Sequence, residues 1–259
     1  MKIIVLIPTL SLLLSSCSLK ENESPVAGKV QTDMIFHYSV LKALDNGVLE
    51  GDMNVSDLKK NGNFGLGTFN TMDGEMIVLD KIVYRVAADG SIVEPGNETL
   101  IPYSVVTNYK QDGSLKLDRE VDYDHLKSFV ASAIPSVNQF YAFRIKGEFE
   151  YIKCGGADAQ EKPYNKSLPE MLATRPVYEK NNVKGTLVGF WCPSYIGDIN
   201  TPGFHLHFLA DDHSIGGHLM DFKAGSLEIG YDIKNVYHIV LPGTDMFKNA
   251  RFRDAGVNY

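Results

Sequence analysis

Three cysteines, one tryptophan and a shortage of positive charge set the first limits on this 259-residue chain. Lysine and arginine number 25 against 32 aspartates and glutamates, for a formal net charge of −7. A phosphate-binding surface needs the opposite balance, so nucleic acid is excluded as the expected partner. The one glycine-rich run, GNFGLGTFN (62–70), reads G-x-x-G-x-G, which is neither a dinucleotide fingerprint nor a P-loop. The metalloprotease helix motif H-E-x-x-H is absent, as are repeats and low-complexity blocks. Cysteine is too sparse for a disulfide framework. What remains is ordinary for a globular chain: 44% hydrophobic and 22% charged residues, enough for one large domain or two intimately packed lobes.

The longest apolar run comes first. In MKIIVLIPTLSLLLSSC, Lys2 supplies a positive n-region and residues 3–14 an apolar core too short to span a bilayer. Leu14-Ser15-Ser16-Cys17 resembles a bacterial lipobox, where a peptidase cuts before the cysteine and lipid is attached to its thiol. Residues 1–16 are therefore expected to be a lipoprotein signal peptide. Residues 17–30, polar and proline-containing, are expected to be a tether from the lipidated Cys17. The expected location is the cell envelope, periplasmic or surface-facing, with the folded part in water. Cys154 and Cys192 remain, as a bridge or as two buried thiols.

Residues 33–49 place apolar side chains at helical spacing, with Asp33 as N-cap, Gly47 as stop and His37 as a packing residue. Short helices are expected at 55–61 and 168–174, and a longer one at 122–134, ended by Pro135. Strand-like runs separated by Asp73-Gly74 and Asp89-Gly90 signal hairpins between residues 64 and 95. Further strands are expected at 101–109, 138–154, 184–192, 203–210, 217–222, 226–231 and 235–241. Arg144, Lys146, Glu148 and Glu150 share one face of the long strand at 138–154. The pattern predicts an α+β protein with mixed or antiparallel sheets in two closely packed lobes, roughly 31–155 and 156–259.

Residues 203–221, GFHLHFLADDHSIGGHLMD, hold four of the seven histidines. His205 and His207 are two apart in a strand and so share a face. If the following turn centres on Asp212 and His213, positions 207 and 218 become direct cross-strand partners, with β-carbons about 4.5–5.5 Å apart. Three imidazoles then converge on a C-terminal hairpin. Burying them unpaired is costly, whereas a divalent cation satisfies all three. Three histidines with open positions suit a catalytic zinc site, although imidazole alone does not select zinc over iron, nickel or copper. Spacing alone also admits three histidines on the solvent face of a hairpin. His213 is expected at the exposed turn tip and His238 to be a packing residue. H-x-H also suggests a cupin barrel, but the residues beyond it, FLADD, lack the cupin glutamate.

Five stretches, FGLGTFNTMDGEMIVLD (64–80), FYAFRIKGEF (140–149), QEKPY (160–164), VKGTLVGFWCPSYIGDINTPGFHLHFLADD (183–212) and GGHLMDF (216–222), resemble the alpha-acetolactate decarboxylase family, in that order. The resemblance covers roughly residues 31–248. It implies a zinc enzyme converting (S)-2-acetolactate to (R)-acetoin and carbon dioxide, with His205, His207 and His218 as metal ligands. It further implies catalytic roles for Glu75, Thr68 and Arg144, and a homodimer formed by sheet extension. The residue types suit that chemistry. A metal acting as Lewis acid on the ketone and hydroxyl oxygens stabilises the enediolate left by carbon dioxide. Arg144 offers forked donors for a carboxylate or oxyanion, and Glu75 could relay a proton.

Two departures accompany the resemblance. Family members carry a glutamate in the C-terminal tail that this chain lacks; Asp245 and Asp254 are the substitutes at hand. The loop before QEKPY, which usually contains a basic residue and a proline, reads CGGADA. A carboxy-lyase or isomerase for another 2-hydroxy-3-keto acid, and a non-catalytic metal-binding lipoprotein, are the alternative readings.

Overall fold

The computed structural model describes residues 32–252, so the expected signal peptide, Cys17, the tether and Asp254 lie outside the described residues. The described residues belong to one unit, built from two sheets and a few short helices.

The first sheet has seven strands. In spatial order they are β15 (Val236–Val240), β1 (Met34–Tyr38), β8 (Tyr103–Thr107), β3 (Phe64–Thr68), β4 (Glu75–Leu79), β5 (Ile82–Val86) and β6 (Ile92–Val93). All neighbours are antiparallel except β1 and β15, which run parallel with Met34 opposite Val236. A two-stranded ribbon, β2 (Met53–Asn54) with β7 (Leu100–Ile101), lies apart. Residues 33–49 are thus not one helix: β1 is followed by the short helix α1 (Leu41–Asp45). An apolar run buried on both faces looks the same whether it is strand or helix. Here Ile35 enters one core cluster while Phe36 and Tyr38 enter another, and Ser39, at φ 69°, turns the chain out of the strand.

The outer face of this sheet is covered by α2 (Val55–Asn61), whose Val55 and Leu58 pack on Phe36, Tyr38, Val78 and Val106. Its N-cap is Asn54, which accepts from the Asp57 amide at 2.8 Å. The hairpin between β4 and β5 turns through Asp80 and Lys81, both at positive φ (52° and 72°).

The second sheet comprises β10 (Val121–Asp122), β14 (Gly216–Lys234), β11 (Phe140–Gly155), β12 (Val177–Cys192) and β13 (Gly203–Ala210), with β9 (Gly113–Leu117) also on β14. Because β13 pairs with both β12 and the start of β14, the circuit β11–β12–β13–β14 closes on itself. Phe143, Ile145, Phe149, Leu187, Phe204, Leu206 and Phe208 fill its interior, plugged by Leu126 and Val130 of helix α3 (Tyr123–Ala133). The opposite faces of β12 and β13 offer Val188, Phe190 and Leu209 to the first sheet, meeting Ile35, Leu66 and Ile77.

The expected division near residue 155 is not the one the sheets make. Strand β11, ending at Gly155, pairs with β12 and β14, and the C-terminal β15 crosses back to β1. Helix α4 (Leu168–Ala173), opened by a capping box between Ser167 and Glu170, precedes β12. A last helical turn, α5 (Asp245–Lys248), follows β15. Cys154 and Cys192 are both buried free thiols, belonging to different core clusters.

Candidate metal centre and its cavity

Alternation along β13 decides where the histidines point. Phe204, Leu206, Phe208 and Ala210 face the barrel interior, so His205 and His207 emerge on the other side, toward the first sheet. Across the hairpin His207 faces His218 directly, with Phe208 opposite Gly217 and Leu209 opposite Gly216. His213, in the turn at φ 55°, is exposed and meets Tyr84 edge-on. His238 is exposed on β15 and lies edge-on to Phe36. His37 is fully buried on β1, its Nδ1 2.8 Å from the Tyr237 hydroxyl.

The three rings of His205, His207 and His218 have centroids 5.1–5.4 Å apart. One ligand nitrogen from each lies within 4.8 Å of the other two. His207 Nδ1 donates to the Met76 carbonyl of β4 at 2.9 Å, which fixes the tautomer and leaves Nε2 as the ligand atom. His205 Nδ1 is buried with no hydrogen-bond partner among the described residues. Burial lowers the His205 imidazole to about 4. It holds His207 and His218 well below the usual histidine range, with the neighbouring His205 adding to the effect. All three are thus neutral, the form that binds metal. Uncharged, converging and incompletely satisfied, the trio fits a divalent cation that takes imidazole nitrogens, as zinc does.

Across from the histidines stands the first sheet. Glu75 opens β4 and pairs with Thr68 at the end of β3. Its carboxylate oxygen is 3.7 Å from His207 Nε2. Burial pushes the Glu75 carboxyl up to about 8, against the opposing pull of Arg175. Thr68 is buried, and its hydroxyl donates to the Gly74 carbonyl at 2.8 Å, holding the turn that delivers Glu75. These residues surround a cavity of about 100 Å³. Leu41 and Leu44 of α1 and Leu168 and Leu172 of α4 supply apolar wall, the second pair one helical turn apart on the same face.

Of the six residues singled out from sequence, the structure brings five together: His205, His207, His218, Glu75 and Thr68. Arg144 is not among them. Its guanidinium pairs with Asp80 at 2.5 Å and lies over the rings of Phe64 and Tyr109. Phe64 starts β3 and Asp80 ends the β4 hairpin, whereas Thr68 and Glu75 occupy the opposite ends of those strands. Four residues of strand, on the order of 13 Å, separate the two locations. The cation that does line the cavity is Arg175, between α4 and β12, which the sequence reading missed. Asp245, the described substitute for a tail glutamate, is exposed at the first turn of α5 and does not line the cavity.

The family model of alpha-acetolactate decarboxylase matches residues 35–254. This chain belongs to that family. An alpha-acetolactate decarboxylase of Methanosarcina mazei is 36% identical over 230 residues, covering 89% of this chain and 80% of the relative. That of Bacillus subtilis strain 168 is 34% identical over 235 residues, covering 89% and 92%. The crystal structure of alpha-acetolactate decarboxylase from the same strain superposes with a TM-score of 0.83, covering 86% of this chain and 94% of the other. The two-sheet fold described above is therefore that of a family member over nearly its whole length.

Proposed function

We propose that this protein is a metal-dependent decarboxylase that converts 2-acetolactate to acetoin and carbon dioxide, with zinc on His205, His207 and His218. The observation that carries the reading is the convergence of three imidazoles opposite one buried carboxyl, in a cavity of about 100 Å³. Such a space suits a small branched acid rather than a nucleotide-sized ligand.

In the reaction the bond between the carboxylate and carbon 2 breaks. Its electron pair moves toward the adjacent ketone, and a proton must then reach carbon. A divalent metal in this position supplies Lewis-acid stabilisation of the charge that develops on oxygen. The protein's own part is to place and protonate. Glu75 is the carboxyl group at the cavity, held by the β3–β4 pairing, and it holds and passes the proton. Thr68 anchors the turn that positions it. The leucines of α1 and α4 keep water away from the reacting carbons.

The N-terminal lipobox-like residues support the further reading that the enzyme is tethered to the cell envelope through Cys17. No helix among the described residues is long and apolar enough to cross a membrane. Metabolic labelling with a fatty acid, lost in Cys17→Ala, tests the anchor. A homodimer is proposed on the family resemblance alone, and sedimentation tests it.

The reaction itself is tested on residues 18–259 loaded with zinc and given racemic acetolactate. Acetoin and carbon dioxide in equal amounts are expected. Bound zinc with no acetoin above the rate of His207→Ala would sink the assignment.

A further inference from the structure

Resting on that reading, we infer that Arg175 is the substrate-binding residue for the carboxylate, and that the missing side chain at Gly155 is the berth that admits it.

Arg175 is brought to the cavity by backbone restraints. Pro176 follows it and favours an extended conformation at residue 175. The Gly156 amide donates to the Pro176 carbonyl at 2.8 Å, and Gly155 pairs with Val177 across β11 and β12. On its other side Gly155 pairs with His218 of β14. Residues 175 and 177 share a face when the chain is extended. The Arg175 side chain is therefore laid across Gly155 toward one of the three histidines.

The fit at Gly155 is tight. A β-carbon there would lie 2.5 Å from Arg175 Nε, 2.6 Å from Cζ and 3.0 Å from Cδ. Any other residue would push the guanidinium aside. Among the described residues no carboxylate lies within ion-pairing distance of Arg175, and it lines the same cavity as Glu75, His207 and His218. A half-buried guanidinium beside three converging imidazoles, with no carboxylate partner among the described residues, is poised for a carboxylate from outside. Arg144, committed to Asp80 at the far end of β3, does not provide this charge.

The test compares wild type, Arg175→Gln, Arg175→Lys, Gly155→Ala and the Gly155→Ala/Arg175→Gln double variant, each loaded with zinc and checked for metal content. Beyond kcat and KM, two probes are measured by calorimetry. One is 2,3-dihydroxy-2-methylbutanoate, in which the ketone is reduced so no decarboxylation follows. The other is butane-2,3-diol, the same molecule without its carboxylate. Arg175→Gln is expected to weaken the acid roughly 10- to 100-fold, the size of a charge-assisted hydrogen bond, to raise KM comparably, and to leave diol binding and metal content unchanged. Arg175→Lys recovers part of the loss. Gly155→Ala meets only the far end of a flexible side chain, so it folds. It gives a milder version of the same defect, and the double variant is no worse than Arg175→Gln alone.

Unaltered acid binding and KM in Arg175→Gln, in a wild type that does turn over acetolactate, would overturn this assignment alone. So would equal loss of acid and diol. A zinc-loaded wild type that makes no acetoin would instead remove the reaction on which the assignment rests.

Discussion

His207 Nδ1 donates to the Met76 carbonyl at 2.9 Å, a hydrogen bond that crosses from one sheet to the other. It presents Nε2 to the cavity and uses a backbone acceptor that no side-chain substitution removes. The imidazole is thus orientated by the packing of the two sheets.

Removing that imidazole should empty the metal centre. His207→Ala is expected to reduce bound zinc from near one equivalent to below about a tenth, and acetoin formation by at least roughly 100-fold, consistent with loss of one of three ligands. Elemental analysis alongside the rate assay checks both. Full metal occupancy in the variant would mean that other residues hold the ion.

Glu75→Gln retains the size of the side chain and removes the transferable proton. We expect metal content to hold while kcat falls roughly 10²- to 10⁴-fold, the range for loss of a general acid or base. A variant with near-normal kcat would place proton transfer elsewhere.

His37 provides a pH signature in stability. Burial, with a smaller push from His205, lowers its imidazole to about 3 from the ordinary 6.5. The folded chain therefore keeps His37 neutral where the unfolded chain protonates it, and stability is lost as pH falls below about 6.5. The other buried histidines act in the same direction, so the comparison is with His37→Gln. Its denaturant-derived stability should fall less steeply between pH 6.5 and 4, by up to about 1.4 kcal/mol per pH unit. Parallel curves for the two proteins would contradict this.

Cys154 and Cys192 cannot bridge within the fold. Cys154 faces Tyr178 across the β11–β12 ladder, and Cys192 lies at the other end of β12, roughly 45 Å of strand away. Burial raises both thiols to about 12. In a chain beginning at Ser18, a thiol reagent at pH 8 should label neither cysteine within minutes and both after unfolding. Reductant should leave the melting temperature unchanged.

Much of the site could be read from the chain because it lies in one hairpin. The spacing of His205 and His207 fixes a shared face, and the ADDHS turn sets the register that brings in His218. Glu75 and Thr68 were reachable only through the family motifs, since their place opposite the histidines depends on contact between the two sheets. Arg144 lies elsewhere for a related reason: its motif marks the strand, but its side chain lies beside Asp80. Arg175 was invisible because nothing local to LATRPVY points to a cavity. Its placement depends on the ladder register at Gly155 and on the absence of a β-carbon there. Residues 33–49 do not form one helix because β1 is flanked by β15, some two hundred residues downstream.

That same pairing has a temporal meaning. Met34 finds Val236 only when nearly the whole chain is available, so the seven-stranded sheet is completed last at the edge beside its first strand. Sequence separation of this size slows folding, because a very large loop must close before the contact repays it. During synthesis the emerging chain can form the β3–β4–β5 meander, yet it lacks the partner that covers one side of β1. A protein threaded outward from its N-terminus would meet the same delay. It would arrive on the far side of a membrane as an open sheet and become whole only as its last strand came through.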